Sequence, residues 1–261
     1  MTYGDFQLPA ITDSVDQART DLTEFGCARL SGVIPSDTVS RLRALIAEAA
    51  RADQEDQGSY LYSGDANQRI WMLPPRHQLF VELAANPVAI DMMRTILGDN
   101  PLLSNLSANI TGPGGEAMIP HWDQDWADRP WPLALAAHVI WMLDDFTVEN
   151  GATLVAPGSH RLDTAPPQGS LVPATGPAGS ALLLDGRTWH GTGANTSRSA
   201  RRRGILAYYC RPYIRQQENY LVSLPVEFQS KLDPSHRKLF GLEFYEYLNM
   251  VGGPPEDLPH C

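Results

Sequence analysis

Three side chains have the types and the spacing to hold a catalytic metal ion. Two of them lie in His121-Trp122-Asp123. In a β-strand residues i and i+2 point to the same side, so this order puts an imidazole and a carboxylate on one face. The pair alone means little, because seven His and 19 Asp in 261 residues give about half such a pair by chance. Support comes from downstream, where Leu182-Leu183-Leu184-Asp185 reads as a buried strand that runs through Gly186-Arg187-Thr188-Trp189 to His190, followed by Gly191-Thr192-Gly193. Glycines beside that histidine would let backbone and ligand approach it closely. Two histidines and one carboxylate on adjoining strands are the minimum set for a facial triad, which holds Fe(II) and leaves positions open for a co-substrate and dioxygen. The same ligands could hold zinc for hydrolysis. Arg201, eleven residues past His190 in Arg201-Arg202-Arg203-Gly204, favours iron, since an arginine on the next strand can clamp the carboxylate of 2-oxoglutarate with its planar fork. Arg202 or Arg203 takes that place if the register shifts by one residue or two.

Longer stretches resemble a known family. They are Arg69-Ile70-Trp71-Met72-Leu73, the Pro87 to Gly98 helix, Pro120-His121-Trp122-Asp123-Gln124-Asp125-Trp126, Trp141-Met142-Leu143-Asp144-Asp145-Phe146, the segment from Glu149-Asn150-Gly151 to Pro157-Gly158-Ser159-His160-Arg161, and His190-Gly191-Thr192-Gly193-Ala194-Asn195. Through these the chain resembles the phytanoyl-coenzyme A dioxygenase family of Fe(II)/2-oxoglutarate oxygenases, most specifically in the Asn-Gly to Pro-Gly-Ser-His segment. The resemblance implies an α+β, mainly β fold: a double-stranded β-helix, that is, a jelly-roll, cupin-like core with flanking helices. It implies that His121, Asp123 and His190 bind iron, and that Arg201 holds the distal carboxylate of 2-oxoglutarate with help from the Thr192 hydroxyl. It further implies consumption of O2 and 2-oxoglutarate, release of succinate and CO2, and oxidation of a C–H bond in a small, partly apolar substrate such as a natural-product intermediate. Hydroxylation, desaturation and ring closure share this triad. Family-like halogenases lack a carboxylate at the position of Asp123, so its presence points away from halogenation. The alternatives are a metal-binding β-helix module without catalysis and a cupin-like metal-dependent isomerase or hydrolase, which would not need 2-oxoglutarate. Many family members carry Gln where this chain has Trp122, so the pocket edge is expected to be aromatic here.

Further candidates surround that set. Asn109, on the strand before the iron motif, is a candidate donor to 2-oxoglutarate or a strand-end polar residue. His138 is a candidate cosubstrate or substrate contact, or a hydrogen-bonded core histidine. Trp71, Met72, Trp122 and Trp126 are candidate substrate walls, with Trp131 nearby, although such residues more often pack than recognise. His77, His160 and His236 read as surface or loop residues. Phe244 and Tyr247 are expected to cap the barrel mouth or to form the contact of a homodimer.

These residues must be positioned by elements that the sequence also outlines. We expect one domain over 1–261: a mainly helical flank over 1–100, the β core over 101–215 and a partly helical capping tail over 216–261. Ser14 and Gly26 bracket a first helix, a strand follows over Cys27 to Leu30, and Val39, Leu42, Leu45, Ile46 and Ala49 mark an amphipathic helix after Pro35. A polar loop is expected over 53–67, a strand or extended piece over 69–73, and helices over 78–85 and 87–97. Strands are expected over 102–110, 116–122, 134–144, 152–155, 181–184 and 203–212, and Phe240, Phe244, Tyr247 and Leu248 at helical spacing suggest a helix in the tail. Hydrophobic residues at 43% and charged ones at 19% fit a folded chain. The net charge of -10 argues against nucleic acid and anionic membranes as partners, and the run from Arg198 to Arg203 reads as a solvated face with one arginine turned inward. Three cysteines without paired spacing fit a reducing compartment, and no signal segment or 18-residue apolar stretch is evident, so a cytoplasmic protein acting on a small molecule is expected.

Overall fold

Capping chemistry sets the first element where it was expected. In the computed structural model, which describes residues 7–250 except Gln57, Gln168 and Tyr247, α1 (Val15–Phe25) opens at Ser14, whose hydroxyl accepts from the Gln17 N–H, and stops at Gly26 in the left-handed region. β1 (Cys27–Leu30) follows at once, and α2 (Ser36–Glu55) buries Val39, Leu42, Ile46 and Ala49 on one face. The polar stretch after α2 contains a hairpin, β2 (Tyr60–Tyr62) paired with β3 (Asn67–Ile70); the strand expected from Arg69 overlaps the end of β3, while β2 falls where a loop was expected. The extended piece expected over 69–73 therefore ends at Ile70. Met72 turns to φ 51° and a 3-10 turn follows at Pro74–Arg76. α3 (Gln78–Ala84) and α4 (Pro87–Leu97) match expectation, and Asn86 caps α4 by accepting from two backbone N–H groups.

The β region comprises β4 (Leu102–Thr111), β5 (Ala136–Met142), β6 (Leu154–Val155), β7 (Val172–Pro173), β8 (Ala181–Asp185), β9 (His190–Gly191) and β10 (Arg202–Cys210). Residues 116–122 form no strand. Pro120 lacks the N–H a ladder requires, and among the described residues one bridge, His121 to His190, touches this stretch. An antiparallel seven-stranded sheet in the order β1-β8-β5-β10-β4-β3-β2 lies opposite a three-stranded sheet, β7-β6-β9. The helices cover one face of the large sheet, where Leu42, Ile46, Met92 and Met93 pack with Leu106, Val139, Trp141 and Ile205. The other face meets the small sheet through a second core, Ile140, Met142, Leu182 and Leu184 against Ala152, Val155 and Ala174. This is the double-stranded β-helix with flanking helices.

Among the described residues the tail holds three short helices, α5 (Tyr220–Ser223), α6 (Val226–Gln229) and α7 (Pro234–Leu239). The helix expected from Phe240 onward does not form, because Gly241 enters the left-handed region and ends α7. Phe240 instead packs edge-on against Tyr220 in the core while Phe244 is exposed; Tyr247 lies outside the described residues. Among the described residues no helix is long and apolar enough to cross a membrane.

The glycines near His190 serve backbone packing. A Cβ on Gly193 would overlap the Ala152 carbonyl, and one on Gly151 would overlap the Gly193 carbonyl, so the two loops can close only as glycine. The Pro157-Gly158-Ser159-His160 segment fastens the small sheet to α1. Gly158 N–H donates to Phe25 O at 2.7 Å, and Ser159 Oγ accepts from Trp189 N–H at 2.7 Å. His160, expected at the surface, is buried against Gly26, and that burial pushes its pKa down to about 4. The unfolded chain, with histidine near 6.5, takes up a proton over an interval in which the folded protein does not. Stability is therefore expected to fall as pH drops from about 6.5 to about 4, by up to about 3 kcal/mol from this group. Urea denaturation at pH 7, 5.5 and 4 should show a shallower fall in His160→Gln than in the parent; equal slopes would remove His160 as the cause.

Candidate active site

His121 and His190 are brought together by two backbone hydrogen bonds. His121 N donates to His190 O at 2.9 Å, and His190 N donates to His121 O at 3.1 Å. Both rings then lie on the same side of this narrow antiparallel pair, with centroids 4.6 Å apart. Each Nδ1 sits at hydrogen-bond distance from a backbone carbonyl two residues earlier, Ile119 O at 3.2 Å and Thr188 O at 2.9 Å. A carbonyl can only accept, so Nδ1 carries the proton and Nε2 is the free ligand atom. Asp123 follows in a turn whose N–H donates to Gly186 O at 2.9 Å, and its Oδ1 lies 3.9 Å from His121 Nε2 and 3.8 Å from His190 Nε2. The ligand atoms of all three residues lie within 4.8 Å of one another, and metal–ligand bonds of about 2.1 Å can span the His–Asp separations.

The protonation states suit a cation. Burial alone would raise the Asp123 carboxyl, but His190 and His138, then His121, outweigh it and hold the carboxyl well below the usual carboxylate range. Burial, and then His190, lower His121, which keeps its ring neutral. A metal needs an anionic oxygen and neutral imidazoles as ligands.

His138 approaches that carboxylate from β5. Its Nδ1 lies 3.0 Å from Asp123 Oδ2, so the ring steers the carboxylate and leaves Oδ1 for the centre. Of its two readings, the hydrogen-bonded histidine is the one whose bond is formed, although the ring also lines the cavity. Tyr208 Oη donates to Asp123 O at 2.8 Å and accepts from Trp126 Nε1 at 3.1 Å.

The triad opens into a cavity of about 330 Å³ that Thr192, Asn109 and Trp71 also line. Arg201 does not reach it. Arg201 is exposed ahead of β10, and the inward residues of that strand are Arg202, Gly204, Leu206 and Tyr208. Arg203 faces the other way and forms a fork with Asp144, at 2.8 and 2.7 Å. Arg202 is 2% exposed, donates to Thr111 Oγ1 at 2.7 Å and lies 4.5 Å from the Phe146 ring centre. Burial lowers its pKa to about 10, which leaves it charged at neutral pH. A second guanidinium, Arg69, enters from β3 and stacks over Trp71 at 4.9 Å. Among the described residues neither arginine has a carboxylate partner, and the Nε of each is buried without a hydrogen bond.

Three expected substrate contacts lie elsewhere. Met72 packs on the helical core, Trp126 reaches the cavity wall only through Tyr208, and Trp122 turns outward. Sequence reasoning missed Tyr60, Tyr62, Arg69, Asn105 and Thr153 on the lining. Alternation along β4 would have found Asn105 from Asn109, since both lie an even number of residues apart on one face.

A model of the family described as phytanoyl-CoA dioxygenase (PhyH) matches residues 22–204. The chain belongs to that family. It is 36% identical to the dioxygenase af480 of Aspergillus fumigatus over 251 residues, covering 91% of this chain and 80% of that protein. It is 26% identical to the multifunctional dioxygenase ausE of Emericella nidulans over 251 residues, covering 88% and 84%. Among solved structures the fold is similar to HygX from Streptomyces hygroscopicus with nickel and 2-oxoglutarate bound, with TM-score 0.65, 14% identity, and 77% and 88% of the two chains covered. It is also similar to the epimerase SnoN in complex with Fe3+, alpha ketoglutarate and nogalamycin RO, with TM-score 0.62, 21% identity, and 84% and 92% covered.

In this family member the residue between His121 and Asp123 braces the triad from behind. Trp122 pairs across the strands with Trp189, the neighbour of His190, at 4.1 Å between ring centroids. Arg129 lies 3.9 Å from the Trp122 ring and 3.7 Å from that of Trp131. The His121 loop and the segment leading into β9 thus each carry one half of an aromatic contact on the side away from the ligands. Trp122→Gln is expected to weaken metal binding about tenfold, the scale of effects from residues that orient ligands. A Co(II) titration followed by its visible bands, in protein with unchanged circular dichroism, checks this; unchanged affinity would leave Trp122 as packing alone.

Proposed function

We propose that this protein is an Fe(II)- and 2-oxoglutarate-dependent dioxygenase that oxidises a C–H bond of a small, partly apolar molecule, by hydroxylation or a related desaturation or ring closure, which the intact carboxylate ligand favours over halogenation. One observation carries the reading above all: two guanidinium groups without anions, that of the buried Arg202 and that of the half-buried Arg69, each with a buried and unpaired Nε, stand in the same cavity as the His121–Asp123–His190 cluster. Buried charge without a partner is costly, so a cavity built with two such cations is suited to a dicarboxylate. A hydrolase or isomerase would need neither arginine.

The donor set fits Fe(II), since two imidazoles and one carboxylate on one side leave the opposite side open. When bound, iron and 2-oxoglutarate supply the oxidising power for the substrate C–H bond, with dioxygen consumed and succinate and CO2 released. The chain's own residues bind, orient and shield. Arg202, set by Thr111, takes the distal carboxylate as a fork, with the Thr192 hydroxyl at the same cavity wall. Arg69 takes the other carboxylate. It lies one cross-strand step from Asn109, whose amide is held by Tyr62 Oη at 2.6 Å. Ile140 and Leu206 line the wall between, suited to the carbon chain. His138 holds Asp123 so that one oxygen stays directed at the metal. The aromatic rim of Tyr60 and Trp71 receives the apolar substrate and excludes water.

Anaerobic titration with Fe(II) and then 2-oxoglutarate tests the assignment through the visible charge-transfer band of the chelate. The band is expected in the parent protein and absent in His190→Ala. Arg202→Ala should raise the 2-oxoglutarate concentration needed by about 10- to 100-fold, the weight of charge-assisted hydrogen bonds, whereas Arg201→Ala should change it less than about twofold. A folded, iron-loaded parent without the band would sink the assignment.

A further inference from the structure

Two asparagines four residues apart on the inward face of β4 present opposite chemistry to the cavity. Asn109 Oδ1 accepts from Tyr62, which leaves its NH2 group for the cavity beside Arg69 and Arg202, a region of donors. Asn105 is 3% exposed and donates its Nδ2 to Glu218 Oε1 at 3.1 Å. With its nitrogen turned to the accepting Glu218 oxygen, the carbonyl oxygen of Asn105 is left over. Among the described residues no group donates to that oxygen, and Asn105 lines the cavity.

Its position separates it from Arg202, the residue suited to the distal carboxylate of the cosubstrate. Asn105, Tyr208 and His138 form one cross-strand row, and His138 is the residue that bonds Asp123. Arg202 stands six residues away from Tyr208 along β10, about 20 Å of extended strand. The free acceptor thus lies at the metal end and the donors that suit 2-oxoglutarate extend toward the other. Tyr208 offers no competing group there, because its hydroxyl already donates to Asp123 O and accepts from Trp126. The cavity that Asn105 lines is edged by Trp71 and Tyr60, 42% and 56% exposed, and Gln217 lines it as well.

We propose that this end binds an apolar molecule bearing a free hydroxyl group, which donates to Asn105 Oδ1, and that Glu218 fixes the preference for a donor by holding the amide the right way round. The place of this group relative to the oxidised C–H bond rests on the iron and 2-oxoglutarate reading; the hydrogen bond itself does not. A ketone or ether of the same shape can only accept, so it would set two acceptors against each other and desolvate both.

The test uses monoalcohols graded from bicyclic terpene to sterol size, each with its matching ketone and methyl ether. Dissociation constants are measured by ligand-observed NMR on the full chain, with Fe(II) and 2-oxoglutarate under anaerobic conditions. At least one alcohol should bind about tenfold or more tightly than both partners, the weight of one well-formed hydrogen bond. In Glu218→Gln the new amide can donate to or accept from Asn105, which frees the Asn105 amide to turn. The ratio should then fall below about threefold, as it should in Asn105→Leu, with the charge-transfer band still formed. Equal binding of alcohol, ketone and ether, no binding by any alcohol, or a preference that survives both substitutions would each overturn the proposal. Failure of the iron and 2-oxoglutarate reading would look different: the band would be missing from the parent protein whatever the alcohol preference.

Discussion

Two backbone hydrogen bonds between His121 and His190 hold this site together. They join a loop that is otherwise free of regular structure to the last short strand of the small sheet, and they settle which faces the neighbouring residues show. Once His121 and His190 are paired, their rings share the inner side and Trp122 and Trp189 share the outer one. The inner side carries the candidate ligands, and the outer side carries an aromatic contact strengthened by Arg129 and Trp131. Much of the small sheet supports that pairing. Ser159 receives the N–H of Trp189, and Gly151 and Gly193 permit a backbone approach that any side chain would block. The long motif that ends in Pro157-Gly158-Ser159-His160 therefore acts on the centre indirectly, by fixing the strand that delivers His190.

Electrostatics explains why the large sheet tolerates an interior that no ordinary core would accept. Its inward face carries Arg69, Arg202, Asn105, Asn109 and His138 beside Ile140 and Leu206. Arg203, one residue from Arg202, shows the ordinary solution: it points outward and finds Asp144, with Arg43 on the same carboxylate at 3.2 Å. Arg202 and Arg69 receive no such partner. Their desolvation is an unfavourable term in the fold, of the kind retained where a ligand offsets it. The apo protein should thus be less stable than the loaded one, by an amount that grows with the free concentration of the dicarboxylate.

Much of this was legible in the sequence. Caps and apolar spacing placed α1, α2 and α4, and short apolar segments between turn residues placed β4, β5, β8 and β10. The motif residues His121, Asp123 and His190 stand together in the structure. What failed did so for physical reasons. In Arg201-Arg202-Arg203 three identical residues offer no polar–apolar contrast, so the register could be read only from a partner, and Asp144 is that partner. Trp122 was expected at the pocket edge, yet the alternation that put His121 and Asp123 on one face puts the residue between them on the other. β2 was hidden because it is three residues long and lies in a polar stretch. His160 looked like a loop residue because a 3-10 turn carries no periodic signal, and only its docking against Gly26 buries it.

The division of labour within the cavity follows from where rigidity lies. Arg202, Asn109, Asn105 and His138 stand on β4, β5 and β10, the three central strands of the large sheet, each paired on both sides. Their spacing is therefore fixed by the ladder, as geometry close to the metal and cosubstrate requires. Tyr60, Tyr62, Arg69 and Trp71 arrive on the two-stranded extension at the sheet edge, where β2 has a partner on one side only. Edge strands have fewer hydrogen bonds to break and adjust at lower cost. Arg69 bridges the two regimes, since it pairs through the backbone with Asn109 on the rigid side and stacks on Trp71 on the adaptable one. A cosubstrate that neutralises Arg69 would at the same time anchor the rim. In the proposed function, occupation of the cosubstrate end would thus be coupled, through one side chain, to the order of the surface proposed to meet the substrate.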